Sequence, residues 1–118
     1  MNRTQPISQV DIEKEIMRLL EMLEKETENF EILAVDAAKK DARYKAEWAK
    51  EYLGAAGKGH RTITDREQWS HYKMEQMKED YEIAEALVKA KREKLLSLRT
   101  SIDALRTLNA NVRAQIEL

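Results

Sequence analysis

Helix breakers occur at only two places along the 118 residues: the single proline, Pro6, and three glycines gathered as Gly54, Gly57 and Gly59. Inside a helix proline costs about 3 kcal/mol and glycine about 1 kcal/mol relative to alanine. The two long stretches that contain neither are therefore free to be helical from end to end. The spacing predicts an all-α chain with a flexible N-terminal lead over 1–7, a helix over about 8–53, a bend over 54–63 and a second helix over about 64–117. Charged residues make up 36% of the chain, a share high for a globular core and usual for long helices and coiled coils.

Apolar periodicity agrees with this division. Ile12, Ile16, Leu19, Leu20, Leu23, Phe30, Leu33 and Ala37 recur at helical spacing, and the pattern continues through Tyr44, Trp48 and Tyr52. In the second stretch Met74, Met77, Tyr81, Ala84, Val88, Lys91, Leu95, Leu98, Ile102, Leu105, Asn109, Val112 and Ile116 alternate by three and four, which is a heptad seam with two polar members, Lys91 and Asn109. Ser8 is placed to cap the first helix. Gly54 is placed to end it, and Thr64 with Glu67 reads as a capping box opening the second.

Charge favours an antiparallel fold-back. Residues 11–31 hold eight acids and three bases, whereas residues 87–107 hold six bases and two acids. Folding the chain at the glycines lays these blocks side by side and disfavours a parallel arrangement. The expected fold is thus a long antiparallel two-helix hairpin, coiled-coil-like, forming one domain over 8–118. One apolar stripe per helix leaves neighbours such as Leu20, Leu87, Leu96 and Leu108 incompletely covered, so the hairpin is expected to assemble into a homo-oligomeric bundle or ring.

Several function classes are disfavoured. The chain has no cysteine, and hence no disulfide framework or thiolate metal site. It has no apolar run of membrane-spanning length and no signal-peptide core, so no membrane partner and a cytoplasmic location are expected. There is no phosphate loop or nucleophile elbow. Glu67, His71 and Glu75 share one helical face, but without the further inward carboxylates of a two-metal bundle they read as a solvated charged face. No catalytic residue, metal or cofactor is expected, and the chain is read as a non-enzyme.

The bend is the informative region. Six of the seven aromatics, Tyr44, Trp48, Tyr52, Trp69, Tyr72 and Tyr81, lie around it, interleaved with Lys45, Lys50, Lys58, Arg61 and Arg66. Cations that neutralise phosphate, alternating with rings that stack on bases, suit single-stranded nucleic acid. The rings also step by four along the first helix, and packing against Trp69 and Tyr72 is the favoured account of them. Glycines leave backbone amides open around Lys58, His60 and Arg61, which makes these residues candidates for an anion.

The run from Tyr44 through Lys45, Ala46, Glu47, Trp48, Lys50 and Tyr52 to Leu53-Gly54, the basic glycine bend, the capped restart over 64–69 and the long helix through Leu105 and Arg113 together resemble the UvsY-type recombination mediators of bacteriophages. The resemblance covers about 35–113. It implies a ring-like oligomer that binds single-stranded DNA and helps load a RecA-like recombinase onto strands coated by single-strand-binding protein, in the host cytoplasm. In that family DNA-contacting bases lie in the last turns before the bend. Lys45-Ala46 matches the start of that pattern, but Glu47 and Trp48 stand where another base is expected. The DNA-binding set inferred is Lys45, Lys50, Lys58, His60, Arg61 and Arg66. The alternative is a phage structural, scaffold or assembly-chaperone protein that acts only through helix packing with other proteins.

Overall fold

The computed structural model describes residues 8–117. The expected N-terminal lead over 1–7 lies outside the described residues. All regular structure among them is helical: α1 over Gln9–Gly54, a 3-10 turn over Ala55–Lys58, α2 over Ile63–Lys73 and α3 over Glu75–Glu117. No described helix is long and apolar enough to cross a membrane. The chain divides into two compact units, one formed by residues up to Asn29 together with those from Lys91 onward, the other by Phe30–Ala90.

In the first unit the Ser8 hydroxyl accepts the Asp11 amide at 3.1 Å and caps α1 as expected. Leu19, Leu98 and Ile102 form a buried cluster, with Ile16, Leu20, Met22, Leu23 and Leu105 packed around it. Ile12 and Leu95 are also buried. The heptad positions of α3 in this unit are covered down to Val112, but Ile116 is 69% exposed, so the apolar pattern outruns the core by one position.

The polar seam residue Lys91 has a defined role. It donates to one carboxylate oxygen of Glu26 while Lys94 donates to the other at 3.0 Å. Glu26 occupies the gap between Leu23 and Phe30 in the apolar series of α1, so a carboxylate and an ammonium meet where each helix interrupts its stripe. Both side chains are mostly covered, 18% exposed for Glu26 and 17% for Lys91. The hydrogen bonds from Lys91, and then from Lys94, hold the Glu26 carboxyl below its ordinary value of about 4.5. Asn109, the other polar seam member, is only partly covered, and its Oδ1 has no hydrogen-bond partner.

A pH dependence follows from the depressed carboxyl. Its stabilising contribution is complete above the unfolded-state pKa and disappears as pH falls through the lower folded-state value. The thermal midpoint is expected to decline in acid, and Glu26→Gln to flatten part of that decline while lowering the neutral-pH midpoint. Scanning calorimetry from neutral to acid pH checks both.

In the second unit α1 ends at Gly54, as expected, but the chain does not reverse there. That residue keeps right-handed dihedrals, φ −80° and ψ −13°, and the chain continues through the 3-10 turn, fully burying Ala55. The reversal comes at Gly59, at φ 95°. The Gly59 amide donates to the Ala56 carbonyl at 3.2 Å and the His60 amide to the Ala55 carbonyl at 3.1 Å. This paired closure needs a left-handed residue, which glycine adopts without a Cβ penalty.

α2 is capped two residues earlier than the sequence pattern indicated. Thr62 is extended, φ −88° and ψ 158°, and its hydroxyl accepts the Asp65 amide at 3.1 Å. Thr62 with Asp65 has the same cap-and-acid spacing as Thr64 with Glu67, so local sequence does not separate them. Thr62→Ala is expected to cost about 1 kcal/mol of unfolding free energy, measured by denaturant titration, with Thr64→Ala near neutral.

The expected uninterrupted second helix is also divided. Met74, at φ −102° and ψ 9°, leaves the helical region between α2 and α3, although its amide still reaches the Ser70 carbonyl and its carbonyl accepts the Lys78 amide, both at 2.9 Å. No breaker marks this point. α2 is tied instead to the end of α1: the fully buried Ser70 donates to the Trp48 carbonyl at 3.3 Å, and Trp69 donates to Glu51 at 3.0 Å.

Candidate nucleic-acid interface

Trp69 organises the bend. Its indole N–H is anchored on Glu51. The His60 ring stacks on it with centroids 4.7 Å apart and planes inclined by 28°. Two ammonium groups approach the same indole, Lys58 at 5.0 Å and Lys73 at 4.8 Å from the ring centroid. The electron-rich ring attracts cations, so the indole gathers two positive charges at the bend.

Arg66 and Arg61 have different roles. Arg66 is half-buried and its Nε donates to the His60 carbonyl at 3.3 Å, bracing the loop that carries His60 and Lys58. Arg61 is exposed and makes no hydrogen bond or ion pair with another described residue. Four of the six inferred residues, Lys58, His60, Arg61 and Arg66, therefore share the bend. Lys45 and Lys50 lie back along α1, each beside its own acid, Lys45 on Asp41 at 3.2 Å and Lys50 on Glu47 at 3.3 Å. Both lysines remain largely in solvent, where such pairs contribute little and exchange readily.

Lys73 was missed by sequence reasoning. The available signal was its position four residues after Trp69, on the same helical face.

Most of the rings pack. Trp48 stacks on Tyr52 at 5.5 Å and meets His71 edge-on at 5.7 Å. Tyr44 lies parallel to Tyr81 at 5.9 Å. A hydrogen bond with Glu85, burial and the nearby carboxylates of Glu85, Asp41 and Glu82 push the Tyr81 phenol up to about 12. Tyr72 differs: it is 72% exposed and lines an open groove of about 350 Å³ with His71, Glu75 and Lys78. It is the bend aromatic best placed to accept a base. No group of three or more described acids and histidines is assembled closely enough to hold a metal.

Comparison of the chain with protein-family models, with curated proteins and with solved structures returns no match.

Proposed function

We propose that this chain is a non-enzymatic accessory protein that holds single-stranded DNA at its bend and works as an oligomer of antiparallel helical hairpins. The observation that carries the DNA reading is the convergence of Lys58 and Lys73 on Trp69, with the unpaired Arg61 and the exposed Tyr72 close in sequence. Cations on a rigid aromatic platform, with a further ring in solvent, match the two demands of a single strand: phosphate neutralisation and base stacking. The chain carries a net charge of only −1, so attraction must be local, and an oligomer repeating the bend would supply a continuous basic track.

The antiparallel reading is supported by order along the first unit. Leu19 clusters with Leu98 and Ile102, while Glu26, seven residues later, bonds Lys91 and Lys94, which lie earlier in α3. Assistance in loading a RecA-like recombinase onto strands covered by single-strand-binding protein is the role that the resemblance to UvsY-type mediators adds, with the host cytoplasm as its setting.

A second reading, a scaffold or assembly protein, is favoured by exposed apolar side chains. Val10, Met17 and Leu96 are more than half exposed in the first unit, and Ile32, Val35, Ile83 and Leu87 in the second. The two readings separate in a fluorescence anisotropy titration with labelled single-stranded and duplex oligonucleotides. The DNA reading expects single-strand binding that weakens steeply with salt and exceeds duplex binding. Absence of binding at low salt leaves the assembly reading.

A further inference from the structure

The second unit contains a cleft apart from the bend. Lys40, Arg43 and Tyr44 of α1 and Met77 and Asp80 of α3 enclose about 110 Å³. Pockets for drug-sized ligands run to about 300–1,000 Å³, so this space suits one ring-sized group. Its walls differ in chemistry. Tyr44 is held parallel against Tyr81, which makes it a fixed flat surface, and Met77 offers a polarisable thioether suited to aromatic contact. The Arg43 side chain makes no hydrogen bond or ion pair with another described residue. Lys40 is shared with Asp36 at 3.1 Å in a half-exposed pair that an incoming anion can displace. Asp80 accepts from Gln76 through Oδ1 at 3.1 Å, leaving Oδ2 as an acceptor.

A flat ring wall, a soft apolar group, an unpaired guanidinium and a spare carboxylate oxygen suit a nucleotide whose base carries an amine donor. We propose that this cleft takes a single nucleotide of a bound DNA strand, with the base against Tyr44 and Met77, its phosphate on Arg43 and Lys40, and an exocyclic amine of the base donating to Asp80. The inference rests on the DNA-binding reading of the bend and adds a base preference to it. Tyr44 shares a helical face with Trp48 and Tyr52, which lead to the bend, and Arg43 lies roughly 16 Å of helix rise from Gly54. A strand engaged at the bend can reach the cleft within a few nucleotides. Cytosine presents an amine donor at its edge where thymine presents a carbonyl acceptor. The carboxylate of Asp80 therefore favours cytosine and repels thymine.

The test compares oligo-dC with oligo-dT of equal length on the full chain at fixed salt. The parent is expected to bind oligo-dC about tenfold more tightly, the lower range of one base-edge contact. Asp80→Ala, at an exposed helical position, should abolish the preference without weakening oligo-dT. Arg43→Ala should weaken both strands alike and reduce the log–log salt slope by about 0.7, the share of one phosphate. Equal affinity of the parent for the two strands, or a preference that survives Asp80→Ala, overturns the cleft proposal and leaves binding at the bend intact. Loss of all binding in a bend variant that retains its helicity, alongside a cytosine preference in the parent, supports both. A parent that binds neither strand at low salt ends both.

Discussion

Leu98→Asp is expected to abolish the folded state at room temperature, seen as loss of most helical circular dichroism and of a cooperative melt. Leu98 is 8% exposed and packs with Leu19 and Ile102. Truncating a buried leucine to alanine alone costs about 2–5 kcal/mol, and a domain of this kind holds only about 5–15 kcal/mol in reserve. An unpaired carboxylate adds a desolvation penalty that nothing in this cluster offsets. Leu96 is the internal control: two residues away on α3, it is 64% exposed, and Leu96→Asp should change stability by no more than about 0.5 kcal/mol in the isolated chain. If copies of the chain associate through exposed apolar side chains such as Leu96, Leu96→Asp will instead lower the mass found by light scattering while helicity persists. A Leu98→Asp protein that melts like the parent would mean that the cluster of the first unit is not its core.

The second large effect concerns the bend. Replacing Lys58, Arg61 and Lys73 together by glutamate is expected to eliminate single-stranded DNA binding at moderate salt. It replaces the two cations over Trp69, and the exposed Arg61 of the loop, with three negative charges. Three cations neutralising phosphate on a single strand correspond to a log–log salt slope of about −2 for each engaged subunit, and the variant should lose that slope with the affinity. Arg66 is kept out of the substitution because it braces the His60 carbonyl, so its loss would disturb the loop as well as the charge. The three replaced side chains contribute no contact to the Leu19–Ile102 cluster, and helicity should be retained. Binding equal to that of the parent would move the site toward Lys45 and Lys50.

The helical architecture was legible because it depends on long-range statistics of the chain. Breakers confined to one internal cluster and a stripe recurring by three and four leave little choice of secondary structure, and Ala84, Leu95, Leu98 and Ile102 are buried as that stripe requires. What was not legible depends on single contacts. Gly54 and Gly59 are equally good places to turn in sequence; α1 ends at Gly54 with right-handed dihedrals, and the left-handed turn falls at Gly59, after the 3-10 turn that buries Ala55. Thr62 and Thr64 are equally good caps. The interruption at Met74 is accompanied by the hydrogen bonds from Ser70 and Trp69 to α1, which local propensity does not encode.

The candidate site divides in the same way. The cations of the bend were visible from composition, and so was the availability of rings. Which rings pack and which remain open was not. Trp69 is committed to Glu51, His60 and two lysines, whereas Tyr72 faces solvent. Lys91 was legible as a polar member of the seam, but its partner was not, because Glu26 lies 65 residues away.

Photo-crosslinking of bound single-stranded DNA, followed by mass spectrometry of the attached peptides, tests the central claim most directly. Binding at the bend predicts crosslinks concentrated in residues 55–73, with Tyr72 prominent among the attachment sites. Crosslinks confined to the basic block of α3, around Arg92, Arg99 and Arg106, would contradict the account, as would a failure to crosslink at low salt under conditions where a known single-strand-binding protein does so.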